Sequence, residues 1–293
     1  MQNRDPPFLI PKYVKDITNL PQVINKDSKL SDFASKLSAI KLSRLIVEDQ
    51  GKHIGIVSTK DWAFYLFKNK NEEGILDIPL TKIMHNIVYV DEATSIPKCA
   101  DIMIDKRISS LAVGSEGHVD GIFTKTDLVR YYASHLPPRH RKVDDYKTAR
   151  YIWVSEDENT FNVLEKLVKN NISRIIVKNS DGTTKGIVTL GDFMRPFSYL
   201  KHSPSENNEE RQEEQTMKKS LGPASGLIFD KKIRVIEIMN KRLITVKRNE
   251  DLKIACETFL ENHIDGVGVV ERDGTLCGIL SKTDITRAVA SMN

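Results

Sequence analysis

The sequence predicts a mixed α/β fold made of four strand–helix–strand–strand–helix (βαββα) repeats that pack in pairs. Three observations carry that expectation. One motif, Gly-apolar-apolar-Ser/Thr-x-x-Asp, occurs four times with a constant Gly-to-Asp spacing, as Gly55 to Asp61, Gly121 to Asp127, Gly186 to Asp192 and Gly278 to Asp284. An apolar strand ending in valine precedes each glycine by eight or nine residues, at Val47, Val113, Val177 and Val269. A helical apolar stripe lies before each of those strands. Self-similarity at a near-fixed period marks a repeat architecture.

Each element follows from its local pattern. A short strand opens the unit, as at Val88–Val90 and Leu243–Val246. Leu30, Phe33, Ala34 and Leu37 then fall at i, i+3, i+4 and i+7, one face of a helix, and Phe161, Leu164, Leu167 and Val168 supply the stripe in the third copy. The valine strands read Leu42–Val47, Ile108–Val113, Ile172–Val177 and Ile264–Val269. The glycine strand comes next, and a second helix is expected after each Asp, clearest at Leu128–Ser134 and Ile285–Ala290. Pro196 closely follows Asp192, so that helix is expected to kink or shorten.

A unit of about 55–60 residues buries little core alone. An even number of copies therefore suggests pairs. The first pair spans residues 12–136, with repeats near 17–70 and 80–136; the second spans 146–292, with repeats near 146–197 and 231–292. Residues 137–145 form the linker, and a polar insertion at about 198–230 reads as a disordered loop or a solvated helix.

Composition removes several function classes. The 293 residues include 40% hydrophobic and 29% charged side chains, an ordinary globular balance. No apolar run reaches the ~18 residues of a membrane span, and the N-terminus lacks the order of a secretory signal, so a cytoplasmic location is expected. The net charge of +4 is too small to imply nucleic acid by itself. The basic cluster Arg139–Lys142 serves as a solvated linker or as a polyanion contact. Cys99, Cys256 and Cys277 are odd in number and far apart, forming neither a disulfide framework nor a metal knuckle. Two of the three lie in apolar contexts and read as core thiols. The seven histidines show no metal-ligand spacing, and phosphate-loop and nucleophile-elbow motifs are missing, so neither a metal nor an enzymatic activity is expected.

The chemistry lies at the Asp turns. Thr124-Lys125-Thr126-Asp127 and Ser281-Lys282-Thr283-Asp284 each sit between a strand and a helix N-terminus, where unpaired N–H groups favour an anion. Their hydroxyls donate to phosphate oxygens, and the carboxylate accepts both hydrogens of a ribose cis-diol. The same spacing is also a helix capping box, which needs no ligand. Ser58 with Asp61 and Thr189 with Asp192 are weaker candidates, because Lys60 and Gly191 replace the hydroxyl before Asp. Gly266 and Gly268 within a strand suggest close approach of a flat ligand or of a partner strand.

These repeats resemble the CBS domain, first named from cystathionine β-synthase. Lys82-Ile83-Met84 and Glu237-Ile238-Met239 resemble that family's entry into the unit. The resemblance implies tandem pairs with pseudo-twofold symmetry and adenosine-containing ligands in clefts between their sheets. In the gamma subunit of AMP-activated protein kinase, which the repeats resemble, basic residues around the position three before the valine contact ligand phosphate. Here Arg44 and Arg174 match, whereas Ser110 and Gly266 do not. One composite site per pair is implied: Arg44 with Thr124, Thr126 and Asp127, and Arg174 with Ser281, Thr283 and Asp284. The repeats fill the chain, which points to a stand-alone regulatory sensor that signals to an unidentified protein partner. Its expected ligand is AMP, ADP or ATP, or one diadenosine polyphosphate bridging two sites, with S-adenosylmethionine a weaker candidate. A homodimer or an intramolecular pair-on-pair disc is the implied assembly. The alternatives are a nucleic-acid-binding regulator and a ligand-free scaffolding dimer.

Overall fold

Each stretch of alternating and helical apolar residues becomes one layer of a small sheet-and-helix unit. The computed structural model describes residues 11–40, 42–69, 77–136, 141–198 and 233–292. Repeat one comprises β1 (Val23–Asn25), α1 (Leu30–Ile40), β2 (Arg44–Asp49), β3 (Lys52–Ser58) and α2 (Thr59–Lys68). Repeat two comprises β4 (Tyr89–Val90), α3 (Ile96–Asp105), β5 (Ser110–Ser115), β6 (His118–Thr124) and α4 (Lys125–His135). A short helix, α5 (Val143–Tyr146), leads into repeat three: β7 (Trp153–Ser155), α6 (Thr160–Lys169), β8 (Arg174–Lys178), β9 (Thr184–Thr189) and α7 (Leu190–Ser198). Another, α8 (Val235–Ile238), leads into repeat four: β10 (Thr245–Lys247), α9 (Leu252–Glu261), β11 (Gly266–Val270), β12 (Leu276–Ser281) and α10 (Lys282–Ala290).

The four sheets have one topology. Strands follow chain order, the first pair parallel and the second antiparallel. That is what the connections require: a helix bridges the parallel pair, and a tight turn joins the antiparallel pair. Each turn holds one left-handed glycine, Gly51, Gly117, Gly182 or Gly274. The strands do not end at the predicted valines. A register shift follows each of Val47, Val113, Val177 and Val269, and pairing then resumes for one or two residues. A bulge of this kind lengthens one strand without moving the core face of the residues before it. The second helices also differ from expectation. They start directly after Ser58, Thr124, Thr189 and Ser281, three residues ahead of the prediction, so each Asp lies inside the first turn. Helix α7 continues through Pro196 to Ser198, so the proline does not end it.

Helix packing groups the repeats into two compact units. One holds repeats two and four, and the other holds repeats one and three. In the first unit α3 packs on α10, and α4 packs on α9 and α10, around the buried Phe123, Tyr132 and Phe259. In the second, α1 packs on α7, and α2 packs on α6 and α7, around Phe33, Trp62 and Phe193. The sequence division at 137–145 thus runs between members of each helix-packed unit. Of that linker only residues 141–145 are described; Arg139 and His140 lie outside the described residues, as does the insertion beyond Ser198.

The segment leading into each repeat is exchanged. Asn19, ahead of repeat one, makes two backbone hydrogen bonds with Ile122 of repeat two (3.0 and 2.7 Å). His85, ahead of repeat two, does the same with Ile56 of repeat one (2.9 and 3.0 Å). Thr148 pairs with Ile279 of repeat four, and Asn240 with Ile187 of repeat three. This crossing explains the motif glycine. A Cβ on Gly186 would lie 2.3 Å from the Asn240 carbonyl oxygen, and one on Gly121 would lie 2.8 Å from the Thr18 side chain. Only glycine lets the lead-in lie so close to the strand.

Candidate ligand-binding turns

The site residues are built by the strand-to-helix turn itself. The last residue of the third strand has extended backbone and acts as N-cap, and Asp is the third helical residue. In every repeat one Asp oxygen, Oδ2, accepts from both the backbone N–H and the hydroxyl of the N-cap. The distances are 2.8 and 2.6 Å for Ser58–Asp61, 2.8 and 2.6 Å for Thr124–Asp127, 2.7 and 2.8 Å for Thr189–Asp192, and 2.8 and 2.7 Å for Ser281–Asp284. The Asp half of a capping box is therefore formed in all four turns, and at Ser58 and Thr124 the N-cap oxygen also accepts a helix N–H.

The second carboxylate oxygen distinguishes them. Asp127 Oδ1 accepts from Asn19 Nδ2 at 2.9 Å and from Arg130 at 2.7 Å. Asp284 Oδ1 accepts from Arg287. Asp61 Oδ1 lies 3.0 Å from His85 Nε2. Asp127, Asp192 and Asp284 are buried, so these bonds hold their orientation. Arg130 and Arg287 are about half exposed and reach the carboxylates from the solvent side.

The first unit brings the two hydroxyl-rich turns together. Lys282 Nζ donates to Thr126 Oγ1 at 2.9 Å, and Lys125 Nζ donates to Thr283 Oγ1 at 3.0 Å. Each turn thus receives a lysine from the other repeat. Lys282 also pairs with Asp265 at 2.5 Å.

The second unit carries the turns that face a strand-opening arginine. Arg44 opens β2 directly opposite Ser58, and Arg174 opens β8 directly opposite Thr189. The Arg44 guanidinium donates to Ser43 Oγ at 2.9 Å. Each arginine therefore stands beside the turn of its own repeat. At the place of Thr126, Lys60 lies 5.7 Å from the Phe64 ring centroid, and burial lowers its pKa. The members of the expected composite sites, Arg44 with Thr124–Asp127 and Arg174 with Ser281–Asp284, belong to different units.

Several partners were missed by sequence reasoning. Arg130 and Arg287 had a readable signal, since arginine stands three residues after Asp in three of the four motifs. Asn19 and His85 had none, because nothing in their local sequence says which repeat's Asp the lead-in segment meets.

Comparison with known proteins agrees with this architecture. The family model of the CBS domain matches residues 14–68, 77–134, 143–198 and 235–291. Protein MJ1225 of Methanocaldococcus jannaschii is 24% identical over 268 residues, covering 85% of this chain and 88% of that protein. The crystal structure of MJ1225 matches at a TM-score of 0.76 and 21% identity, covering 94% of this chain and 99% of the other. A conserved protein from Pyrococcus horikoshii matches at a TM-score of 0.61 and 19% identity, with the same coverage. At such identities the likeness shows a shared fold.

Proposed function

The chain belongs to the CBS-domain family, and from that premise we propose that it is a regulatory sensor that binds adenosine nucleotides at its Asp turns. The observation that carries the reading is the pair of turns in the first unit. Thr124, Thr126 and Asp127 in one, and Ser281, Thr283 and Asp284 in the other, combine hydroxyls, a helix N-terminus and a fixed carboxylate. The hydroxyls and N–H groups suit phosphate, and the carboxylate suits a ribose diol. Ser58, Asp61, Thr189 and Asp192 form simpler turns, flanked by Arg44 and Arg174.

A ribose diol reaching Asp127 competes for Oδ1 with Arg130 and Asn19. Release of Arg130 frees a guanidinium for phosphate. Release of Asn19 loosens the lead-in segment, which offers a route from ligand to backbone. A ligand shifts such an equilibrium only by its differential affinity for the two states. AMP, ADP and ATP are the proposed ligands, a bridging diadenosine polyphosphate is the more specific version, and an unidentified protein receives the signal.

A thermal-shift panel of AMP, ADP, ATP, diadenosine polyphosphates, cyclic di-AMP, S-adenosylmethionine and GTP tests this. At a hundredfold excess over Kd, a native-state ligand stabilises by about 2.7 kcal/mol. Selective stabilisation by adenine nucleotides is the expected result. One observation favours a second reading: in all four turns the N-cap N–H and hydroxyl already occupy one Asp oxygen without a ligand. No shift with any compound would support a scaffolding role instead. The nucleic-acid alternative gains nothing from Arg141, whose guanidinium is tied to the Ala288 carbonyl at 2.8 Å and the Ser291 hydroxyl at 3.2 Å.

A further inference from the structure

We infer that Lys125 and Lys282 are phosphate-binding cations that each serve the turn of the other repeat. The inference rests on the nucleotide reading and adds to it which charges recognise the ligand. On sequence alone each lysine follows its own N-cap and would be assigned to its own turn. The structure places Lys282 of repeat four on Thr126 of repeat two, and Lys125 of repeat two on Thr283 of repeat four.

The chemistry of that pairing is directional. An ammonium donates and cannot accept. Each threonine oxygen accepts the lysine bond, so its own O–H points elsewhere as a donor. A phosphate oxygen that takes this hydroxyl hydrogen sits next to the ammonium and is neutralised by it. Lys282 is well placed for this. Its side chain is only 14% exposed, and its ion pair with Asp265 fixes its position. An already ordered cation loses little freedom when it meets its ligand.

The other unit supplies the contrast. At the positions of Lys125 and Lys282 it carries Thr59 and Leu190, and at those of Thr126 and Thr283 it carries Lys60 and Gly191. Reciprocal lysine–threonine bonding is thus a property of the unit with the hydroxyl-rich turns. Because each turn there draws its lysine from the other repeat, neither repeat completes its phosphate contacts alone.

The test uses the full chain, with AMP and adenosine as probes in calorimetric titrations. Asp284→Asn disables the repeat-four turn and leaves the repeat-two turn to be read; Thr283→Val serves the same purpose should that variant unfold. Lys282→Gln added to this background removes the charge but keeps a donor for Thr126. AMP affinity should fall about tenfold, as for loss of one charge-assisted hydrogen bond, with adenosine affinity changed by less than about twofold. Lys125→Gln in the same background should change AMP affinity by less than about threefold. In an Asp127→Asn background the two lysines should exchange roles. If instead the loss follows the lysine of the same repeat, or adenosine weakens as much as AMP, the reciprocal assignment is wrong and the nucleotide reading stands. If the wild-type chain binds no AMP, both fall together.

Discussion

At Asp127 four donors converge on one buried carboxylate: the Thr124 N–H and hydroxyl, Asn19 and Arg130. Asp127→Ala removes the cap and leaves those donors unmatched. It should lower stability by about 2–3 kcal/mol in urea titrations, more than Asp61→Ala at the half-buried equivalent turn. Half of this arrangement was legible. The Ser/Thr-to-Asp spacing announces a capping box, but Asn19 is 108 residues away from its partner and only the fold brings them together. The cysteines were read correctly as core thiols at two positions: Cys99 and Cys256 are buried, and burial pushes the Cys99 thiol up to about 12. A thiol reagent at mildly alkaline pH should label the half-exposed Cys277 first and reach the other two only on unfolding. Asp144 is a titration marker. The Arg248 guanidinium at 2.6 Å and the Lys147 ammonium hold its carboxyl below the usual carboxylate range. A depressed carboxyl contributes stability above its unfolded pKa and loses it as pH falls through the folded value. Asp144→Asn should therefore reduce stability at neutral pH and flatten the acid side of the pH–stability curve below about pH 4.

At the scale of elements, the motif glycines acquire a cause. They were found from the sequence as spacing markers, and the structure shows that an exchanged lead-in segment lies across each one. Gly186→Ala forces a methyl against the Asn240 carbonyl at 2.3 Å, where backbone must move. The expected loss is about 3 kcal/mol. Gly182→Ala meets nothing within 4 Å but keeps a φ of +84°, and should cost about 1 kcal/mol. Chemical denaturation of the two variants separates crowding from backbone strain; equal losses would mean the lead-in is not held where it is described. The exchange escaped sequence analysis because its hydrogen bonds run between backbone groups, which any residue supplies. Helix starts were misplaced for a related reason. The predicted starts were set after each Asp, whereas the polar Ser/Thr-x-x-Asp turn already belongs to the helix as its cap and first turn.

For the whole molecule, four repeats and their common topology were readable because each copy repeats the same valine, glycine and aspartate positions. Which repeats share a helix-packed core was not. An apolar helix face shows that a helix packs, and it does not name the repeat it packs against. The observed units combine alternate repeats, two with four and one with three. The side chains divide accordingly: hydroxyls and reciprocal lysines at the turns of one unit, strand-opening arginines opposite simpler turns in the other. The claim that the hydroxyl-rich turns bind adenosine nucleotides is tested most directly by titrating AMP into the wild-type chain and into an Asp127→Asn, Asp284→Asn double variant. Saturable binding that disappears in the folded double variant is the predicted result. Binding that the double variant retains at full affinity would contradict it.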